Sequence, residues 1–446
     1  MEQREKLFWI WLSEALGAAS RDFRRLIELY DSSYELFHAE ESELERIPDL
    51  SERVLNALSD KSLQRATEIM EVCERSGIGI LTYADERYPK LLREIKSPPC
   101  VLYYLGELPD WNGQLCIGMV GTRRMSAYGL RAAYRLSYEM ASAGAIVVSG
   151  MAAGIDGVCA AAAMAAGGKT VAVLGSGVDI VYPKHHLPLR NAIAEQGVVL
   201  SEYPPATRPA TYHFPQRNRI ISGLSQGTVV VEAGIGSGSL ITAKDAILQG
   251  RDVFALPANV GSRGAEGTNG LIRDGATPVL STEDVLEPYR YLFSDTLFPD
   301  RIKTVGDGAR ADLGYLERFG VVELTRSRPS DGQGLQAAPE TPKAPRKSVT
   351  RKRTEKEDAS MSARTEQKGG EGARIEPSRA QTPDATLSSL TPIQLAVLKA
   401  IPDDRAVPAD ALTNLGYPYG DTVAALTMLE ILGLIQKLPG ALYTKS

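Results

Sequence analysis

Residues that build metal centres or disulfide frameworks are scarce in this chain. Its 446 residues include only 4 cysteines and 4 histidines. The cysteines form no CxxC pair and match no zinc-ligand spacing, and the adjacent His185 and His186 cannot both face one metal ion from a regular element. We therefore expect no metal site, no other cofactor, and cysteines that stay reduced in the interior of a cytoplasmic protein.

A strong excess of one charge and a long hydrophobic run are also missing. The 50 Lys and Arg residues nearly balance the 55 Asp and Glu residues, for a net charge of −5. This excludes a globally basic DNA-coating protein, so any nucleic-acid surface must be a local patch. The most apolar stretch, residues 143–168, contains Asp156 and is rich in Ala and Gly, so a strand, turn and helix explain it better than a membrane span. The amino terminus lacks the apolar core of a signal peptide, and we expect no membrane association.

What the chain does have is an ordinary globular composition, with 43% hydrophobic and 24% charged residues. At about 150 residues per domain, its length suggests roughly three domains. Composition and patterning predict a helical domain over residues 1–75, a Rossmann-like domain over 76–325 with its core at 115–290, a disordered linker over 326–387 and a winged-helix domain over 388–446.

One turn in the helical domain, residues 44–50, faintly resembles a helix-hairpin-helix motif. That motif needs Gly after Pro so that the backbone can approach a phosphate, and Asp49 stands at that position. Two interpretations stay open for this region: DNA binding by the turn, and a small helical packing domain. Residues 76–110 are interpreted as a connector.

An α/β doubly wound parallel sheet is predicted from residue 115 onward. Several apolar runs are continuous rather than alternating, as expected for parallel strands buried on both faces. The segments between them have the length of crossover helices. The predicted strands are residues 116–120, 145–148, 170–174, 198–201, 228–231 and 252–256.

The last two predicted regions carry weaker functional signals. Within the linker, residues 343–356 hold seven basic residues and one acid, a pattern that suits either non-specific nucleic-acid contact or a solvated tail. The winged-helix prediction rests on three helices followed by a hairpin with a Pro-Gly turn. Its third helix contains Glu430 and no Lys or Arg, which favours docking to a protein over reading a major groove.

Five Gly-rich or basic segments fall at the carboxyl ends of predicted strands or open the following helices. The first, residues 121–129, has Gly121 for a tight turn, Arg123 as a forked phosphate donor and a helix start near Ser126. It contains neither GxGxxG nor a P-loop. The second, residues 149–157, has three glycines that allow close approach of a ligand or of a neighbouring backbone.

The remaining three segments add cations, an aromatic and one carboxylate. The third, residues 175–186, offers Lys184 as a phosphate contact. The fourth, residues 213–225, has two arginines around an asparagine beside an aromatic, a set that can grip phosphates or base edges and stack on a base. Solvated arginines at a helix start are the alternative there. The fifth, residues 232–243, is Gly-rich and carries Glu232, which could act as a base.

Loops at the carboxyl ends of strands in a doubly wound sheet converge on one crevice. The five segments together therefore predict an anion-binding edge, with Arg123, Lys184, Arg217 and Arg219 as its cations. No Ser-His-Asp order, carboxylate pair or metal cluster accompanies them in the sequence. We expect phosphate binding without catalysis, in a protein that is not an enzyme.

These segments resemble the DNA processing protein A family, DprA, also called Smf. The resemblance rests on the order and spacing, over residues 115–286, of the motifs GTRRMSAYG, SGMAAGIDG, GSGVDIVYPKHH, SEYPP, FPQRNRIISGLS, VVEA, GSLITA and GTNGLI. It implies an extended Rossmann-like fold with a SAM-like amino-terminal domain and a winged-helix carboxyl-terminal domain. It also implies a homodimer that protects incoming single-stranded DNA in natural transformation and loads the RecA recombinase on it, without nucleotide hydrolysis.

The resemblance further implies where DNA is bound. Arg123 and Lys184 match phosphate contacts, and the family's dimer and RecA surfaces lie around residues 268–285. The full set of candidate DNA-binding residues is Gly121, Thr122, Arg123, Ser126, Gly150, Lys184, Arg208, Phe214, Arg217, Asn218 and Arg219.

Two other function classes stay open. The cytokinin-activating phosphoribohydrolases, which act on nucleoside monophosphates, have a related Rossmann-like fold and typically carry PGGxGT followed by a glutamate. This chain instead reads EAGIGSGSLITA, with Glu232 before the glycines. The second class is a nucleotide sensor, with a mononucleotide in the crevice and the winged helix as output.

Overall fold

The computed structural model describes residues 3–262, 264–303, 312–322 and 391–402, together with short pieces between residues 407 and 445. The chain separates into two compact units, Met1–Arg346 and Lys347–Ser446. Among the described residues, every helix is too short or too polar to span a bilayer.

Six short helices open the first unit. Trp9 and Leu12 of the first helix are buried, and Phe23 of the second lies edge-on to Tyr83, with ring centroids 5.0 Å apart. Aromatic packing therefore joins these helices to the part of the chain that follows them, and the predicted domain boundary at residue 75 stays a prediction. The helices are α1 (Gln3–Leu16), α2 (Asp22–Tyr30), α3 (Ser33–His38), α4 (Glu41–Leu44), α5 (Glu52–Ser59) and α6 (Gln64–Arg75).

The turn between α4 and α5 has the backbone shape of the motif it resembles. Asp49 adopts a φ of +58°, the left-handed conformation for which the motif uses Gly. Glu43, Glu45 and Glu52 lie close by in the chain. Arg46 and Arg53 lie equally close, and Nη1 of Arg25 donates to the carbonyl oxygen of Pro48 at 2.6 Å, so DNA binding and packing both stay open for this turn.

A nine-stranded sheet forms the centre of the first unit. Its order is β1-β2-β6-β5-β4-β3-β7-β8-β9, and every neighbouring pair from β6 to β9 is parallel. This confirms the predicted doubly wound sheet. The strands are β1 (Gly79–Thr82), β2 (Val101–Gly106), β3 (Cys116–Val120), β4 (Ile146–Ser149), β5 (Thr170–Leu174), β6 (Val198–Ser201), β7 (Gly227–Val230), β8 (Asp252–Ala255) and β9 (Thr277–Pro278).

The interpretation of residues 76–110 as a connector is wrong. This segment contributes β1 and β2, which pair antiparallel with each other, and β2 also pairs antiparallel with β6. The short helix α7 (Lys90–Glu94) lies between them. β2 pairs far along the chain, with Tyr103 opposite Ser201. No local pattern in the sequence shows such a pairing.

Helices cover both faces of the sheet and bury alternate strand residues. One face packs against α8 (Ala127–Ser142), α9 (Ile155–Ala165) and α10 (Leu187–Gln196). The other packs against α7, α11 (His213–Leu224) and α12 (Gly238–Leu248). Within β4, for example, Val147 belongs to the first core and Val148 to the second, as the period of two in a strand requires.

Three further α-helices follow among the described residues of the first unit: α13 (Glu266–Arg273), α14 (Glu283–Leu286) and α15 (Leu313–Arg318). Leu316 of α15 and the following Val321 are buried in the same core as α9. Gly320 has a φ of +70°, and an ideal Cβ there lies 2.2 Å from the carbonyl oxygen of His185. The chain after the sheet therefore packs tightly against the loop that contains His185.

The second unit shows one continuous helix and one small sheet within its described residues, with further helical positions at 411–412, 422, 425–426 and 429. Helix α16 (Pro392–Ala400) starts at a capping box between Thr391 and Gln394, as the Thr-Pro pair predicts. The sheet contains β10 (Val407–Pro408), β11 (Ile435–Leu438) and β12 (Leu442–Lys445), with β12 in the middle. The antiparallel pairing of β11 and β12 confirms the predicted hairpin.

Two predictions for the carboxyl-terminal part of the chain lie outside the described residues. These are the linker over residues 326–387 and most of the second and third helices of the winged-helix domain. The winged-helix arrangement therefore stays a prediction.

Candidate nucleic-acid interface

A crevice opens at the carboxyl ends of the central parallel strands. Its walls come from the loops after β3, β4 and β5 and from the first turns of α11. The structure thus brings four of the five predicted segments together. The lining residues are Arg123, Gly150, Ala152, Ala153, Leu174, Gly175, Ser176, Tyr182, Pro183, Phe214 and Arg217.

Arg217 is a buried cation of this crevice, with only 4% of its surface exposed. Its Nη1 donates to the carbonyl oxygen of Val173 at 2.8 Å, whereas its Nε has no hydrogen-bond partner. The guanidinium lies directly on Gly150, where an ideal Cβ is 1.6 Å from Nη1. Gly150 is therefore required for close packing of the arginine.

Asp156, in the first turn of α9, balances the charge of Arg217. Its Oδ2 accepts the backbone N–H of Gly150 at 3.1 Å. Burial raises the pKa of Asp156, and the nearby Arg217 opposes that rise. Burial lowers the pKa of Arg217 to about 10, with Asp156 acting against that change. Asp156 therefore offsets the charge of Arg217, while Arg123, which acts on both groups, keeps a net positive charge at the crevice.

Aromatic rings form another part of the lining. The rings of Tyr182 and Phe214 lie 5.5 Å apart between centroids. The guanidinium of Arg123 is 5.2 Å from the Phe214 centroid, and Arg123 is exposed. Base-sized aromatic surfaces beside an exposed arginine are the pairing by which proteins hold single-stranded nucleic acid.

Two buried histidines position loops of the crevice. Nδ1 of His186 lies 3.0 Å from the carbonyl oxygen of Met151, so Nδ1 carries the proton of a neutral ring. Burial lowers the pKa of His186 to about 4. Nδ1 of His213 lies 3.0 Å from the carbonyl oxygen of Gly175, and its ring stacks on Tyr203 at 4.1 Å. Each histidine therefore fixes the backbone of a loop at the crevice through this hydrogen bond.

Two predicted residues on α11 point away from the crevice. Nη2 of Arg219 donates to both carboxylate oxygens of Glu202, at 2.6 and 2.7 Å. The Arg219 and Glu202 side chains are only 11% and 5% exposed. Nδ2 of Asn218 donates to the carbonyl oxygen of Gly238 at 3.2 Å, joining α11 to α12. The structure therefore does not bring Arg219 to the predicted anion-binding edge.

Lys184 and Arg208 are exposed and lie outside the lining. Lys184 directly follows Pro183, which does line the crevice, so Lys184 is at its rim. An exposed rim lysine can contact a phosphate of a strand whose base enters the crevice. No contact in the described residues ties Arg208 to this rim.

The expected phosphate position at the start of α8 is filled from within the protein. Oε2 of Glu232 accepts the backbone N–H of Ser126 at 2.9 Å and the Ser126 hydroxyl at 3.1 Å. The neighbouring Thr122 donates its N–H to the carbonyl oxygen of Glu232 at 2.7 Å. Gly121 packs against Ile155, whose Cγ1 would lie 2.6 Å from an ideal Cβ. Gly121, Thr122 and Ser126 of the first segment are thus used for packing and capping, whereas Arg123 lines the crevice.

Two residues at the crevice that are not among the predicted site residues, the lining Tyr182 and the buried Asp156, do have a signal in the sequence. Tyr182 stands in the Tyr-Pro-Lys run beside the predicted Lys184, and an aromatic there is a candidate stacking surface. Asp156 is an ionisable residue inside an otherwise apolar Gly-rich run, which is a signal of a paired buried charge. Across the described parts of both units, no three His, Cys, Asp or Glu side chains cluster in a way that could hold a metal ion.

Comparison with known proteins places this architecture in a family. The model of the family described as DNA recombination-mediator protein A matches residues 79–290. Protein Smf of Synechocystis sp. is 30% identical over 449 residues, which cover 100% of both chains. This chain belongs to the DNA recombination-mediator protein A family.

Other members of the DNA recombination-mediator protein A family agree with this assignment. The DNA processing protein DprA of Bacillus subtilis is 41% identical over 219 residues, covering 49% of this chain and 74% of the relative. The X-ray structure of DNA processing protein A from Streptococcus pneumoniae matches with a TM-score of 0.56 and 32% identity, covering 63% of this chain and 97% of that chain. All lining residues of the crevice fall within the range matched by the family model.

Proposed function

We propose that this protein binds single-stranded DNA in the crevice during DNA processing, protects it and loads the RecA recombinase on it in natural transformation. The observation that carries the proposal is the meeting of Phe214, Tyr182 and the buried Arg217 in one crevice. Membership of a family described as recombination mediators supports a role in DNA processing.

The shape and chemistry of the crevice favour a single strand over a duplex. A base can reach Phe214 and Tyr182 only after it has left the base stack, and a base of a single strand does so at little cost. Arg217, which lines the crevice, offers polar groups to a base edge. Arg123 and Lys184, both exposed, can contact the phosphates that stay outside.

Binding rather than catalysis is the proposed mode of action. Glu232, the carboxylate considered as a base, is buried and is engaged by the N–H and hydroxyl of Ser126. Its acceptor capacity therefore serves the start of α8.

A homodimer in the cytoplasm is the proposed working form. Large apolar side chains are exposed on α12 and in the loops after β7 and β8, and exposed apolar side chains of this kind mark protein-protein interfaces. They are Ile235, Ile241, Ile247, Leu248 and Val260.

Fluorescence anisotropy with labelled single-stranded and duplex DNA, over a salt series, tests the DNA-binding proposal. The variants are Arg123→Glu and Lys184→Glu, with Lys169→Glu as the matched control. Lys169 is also exposed, but it precedes the first residue of β5 and so lies at the opposite edge of the sheet.

We expect tight, salt-sensitive binding of the single strand by the wild type and by Lys169→Glu, and a large loss in the other two variants. Each lost phosphate contact should lower the slope of log affinity against log salt by about 0.7. Single-strand binding that survives both Arg123→Glu and Lys184→Glu in folded proteins would exclude the crevice. RecA loading is tested separately, by RecA ATP hydrolysis on strands coated with single-strand-binding protein, which the wild type should stimulate and Arg123→Glu should not.

A further inference from the structure

The start of α8 is built around an internal carboxylate. Glu232 follows β7, and its backbone is fixed by the bond from the N–H of Thr122 to its carbonyl oxygen. Its Oε2 accepts both donors of Ser126, while the Ser126 hydroxyl accepts the N–H of Gly129 at 3.0 Å. A negative group therefore sits at the positive end of a 16-residue helix, where an anion is most stabilised.

Glycines on two elements leave the space that this carboxylate fills. An ideal Cβ on Gly129 lies 1.9 Å from Oε2 of Glu232, and one on Gly264 lies 2.3 Å from Oε1. Any side chain at either position would overlap the carboxylate. Glu232 is only 7% exposed, so the group is enclosed on several sides rather than resting on the surface.

The loop after β4 has the same arrangement. There the carboxylate of Asp156 accepts the N–H of Gly150. Gly150 directly follows β4, and the carboxyl ends of the strands are where a Rossmann-like sheet usually binds a phosphate. The loops after the neighbouring strands β3 and β4 are thus each occupied by a carboxylate of the protein itself. The cations left for DNA phosphates are side chains at the rim of the crevice.

We propose that Glu232 determines specificity by exclusion: its carboxylate occupies the anion-binding position at the start of α8 and prevents inorganic phosphate and mononucleotides from binding there. A phosphate would have to share its donors with Glu232 and would face its negative charge at contact distance. The proposal does not depend on single-stranded DNA binding, because its test contains no DNA.

Thermal unfolding in phosphate tests this exclusion. Glu232→Ala removes the carboxylate and leaves the donors of Ser126 unpaired, whereas Glu232→Gln fills the same volume and keeps one acceptor oxygen. Each protein is unfolded in sodium phosphate and in sodium chloride of equal ionic strength, so that screening is the same in both. Calorimetry with inorganic phosphate then measures binding directly.

We expect phosphate to raise the Tm of Glu232→Ala by about 3 °C more than chloride does, at roughly tenfold excess over its Kd. The wild type and Glu232→Gln should show no such excess, and only Glu232→Ala should bind phosphate in the calorimeter. A purely structural cap would give a lower Tm that phosphate and chloride change equally, and that result would overturn the proposal. So would phosphate binding by the wild type at this position. If Glu232→Ala is unfolded in chloride, refolding on addition of phosphate is the readout, and its absence counts equally against the proposal.

A substitution at Gly129 adds a second, independent measurement. Gly129→Ala in the wild type forces a methyl group onto Oε2 of Glu232 and should lower the Tm. In the Glu232→Ala background the methyl group has room, and alanine is a better helix former than glycine, so the same change should raise the Tm. The same sign in both backgrounds would show that Glu232 does not occupy this position.

Discussion

Replacement of Arg219 by methionine keeps much of the side-chain volume and removes the charge that pairs with Glu202. The pair is buried, with side chains 11% and 5% exposed, and the Arg219 Nη2 lies 2.6 Å from Oε1 and 2.7 Å from Oε2. Glu202 also accepts the backbone N–H of Ala19 at 3.1 Å, so the pair joins α11 to the chain just after α1. We expect Arg219→Met to cost about 3–5 kcal/mol of unfolding free energy, because it leaves a carboxylate buried without a cation.

Urea unfolding followed by tryptophan fluorescence measures this loss, with Glu202→Met and the double variant completing a cycle. The double variant should be more stable than the sum of the single losses predicts, since neither charge is then buried alone. Anisotropy with single-stranded DNA, under conditions in which the variants are folded, should show unchanged affinity because Arg219 does not line the crevice. A variant that keeps its stability but loses DNA affinity would refute this reasoning and return Arg219 to the DNA groove.

Three further predictions concern the walls of the crevice and the core. Gly150→Ala should cost about 1–3 kcal/mol in urea unfolding and weaken single-strand binding, because its methyl group displaces the guanidinium of Arg217; unchanged affinity would show that this guanidinium does not contact DNA. The pKa of His186 is about 4 in the fold, against 6.5 for the free side chain. The unfolded chain therefore takes up the proton first, and the stability that neutral His186 contributes is complete above pH 6.5 and falls by about 3 kcal/mol on the way to pH 4. His186→Asn does not titrate, so its stability relative to the wild type should rise by that amount over this range, and a constant difference would contradict the assignment. Burial raises the pKa of Cys73 and Cys116 to about 12, and all four cysteines are buried; a thiol reagent at pH 8 should label them only after unfolding, and labelling of the native protein would contradict their burial.

The strands of the parallel sheet could be predicted from local sequence because a strand buried on both faces is apolar at nearly every position. The predicted 116–120, 170–174 and 198–201 match β3, β5 and β6 in full. The antiparallel edge could not be predicted in this way. β2 has six residues, more than any parallel strand described, but its antiparallel partner β6 follows almost a hundred residues later.

The sequence by itself determined the class of the fold and the loops that meet at the crevice, since both follow from the order of strands, helices and Gly-rich turns. It also placed Arg123, Phe214 and Arg217 among the candidates that line it. The sequence alone could not predict which of the two arginines on α11 faces the crevice. Arg217 and Arg219 are two positions apart, so about 200° separates them around α11, and the choice of face depends on what packs against the helix.

Only the tertiary structure decided the roles of the charged groups. Arg217 meets Gly150 and Asp156, whereas Arg219 meets Glu202. Glu232 could be a base or a cap by sequence alone, and its role follows from the pairing of β3 with β7, which brings it to the start of α8. A charge acts on what lies within a few ångströms, and that neighbourhood exists only after the chain has folded.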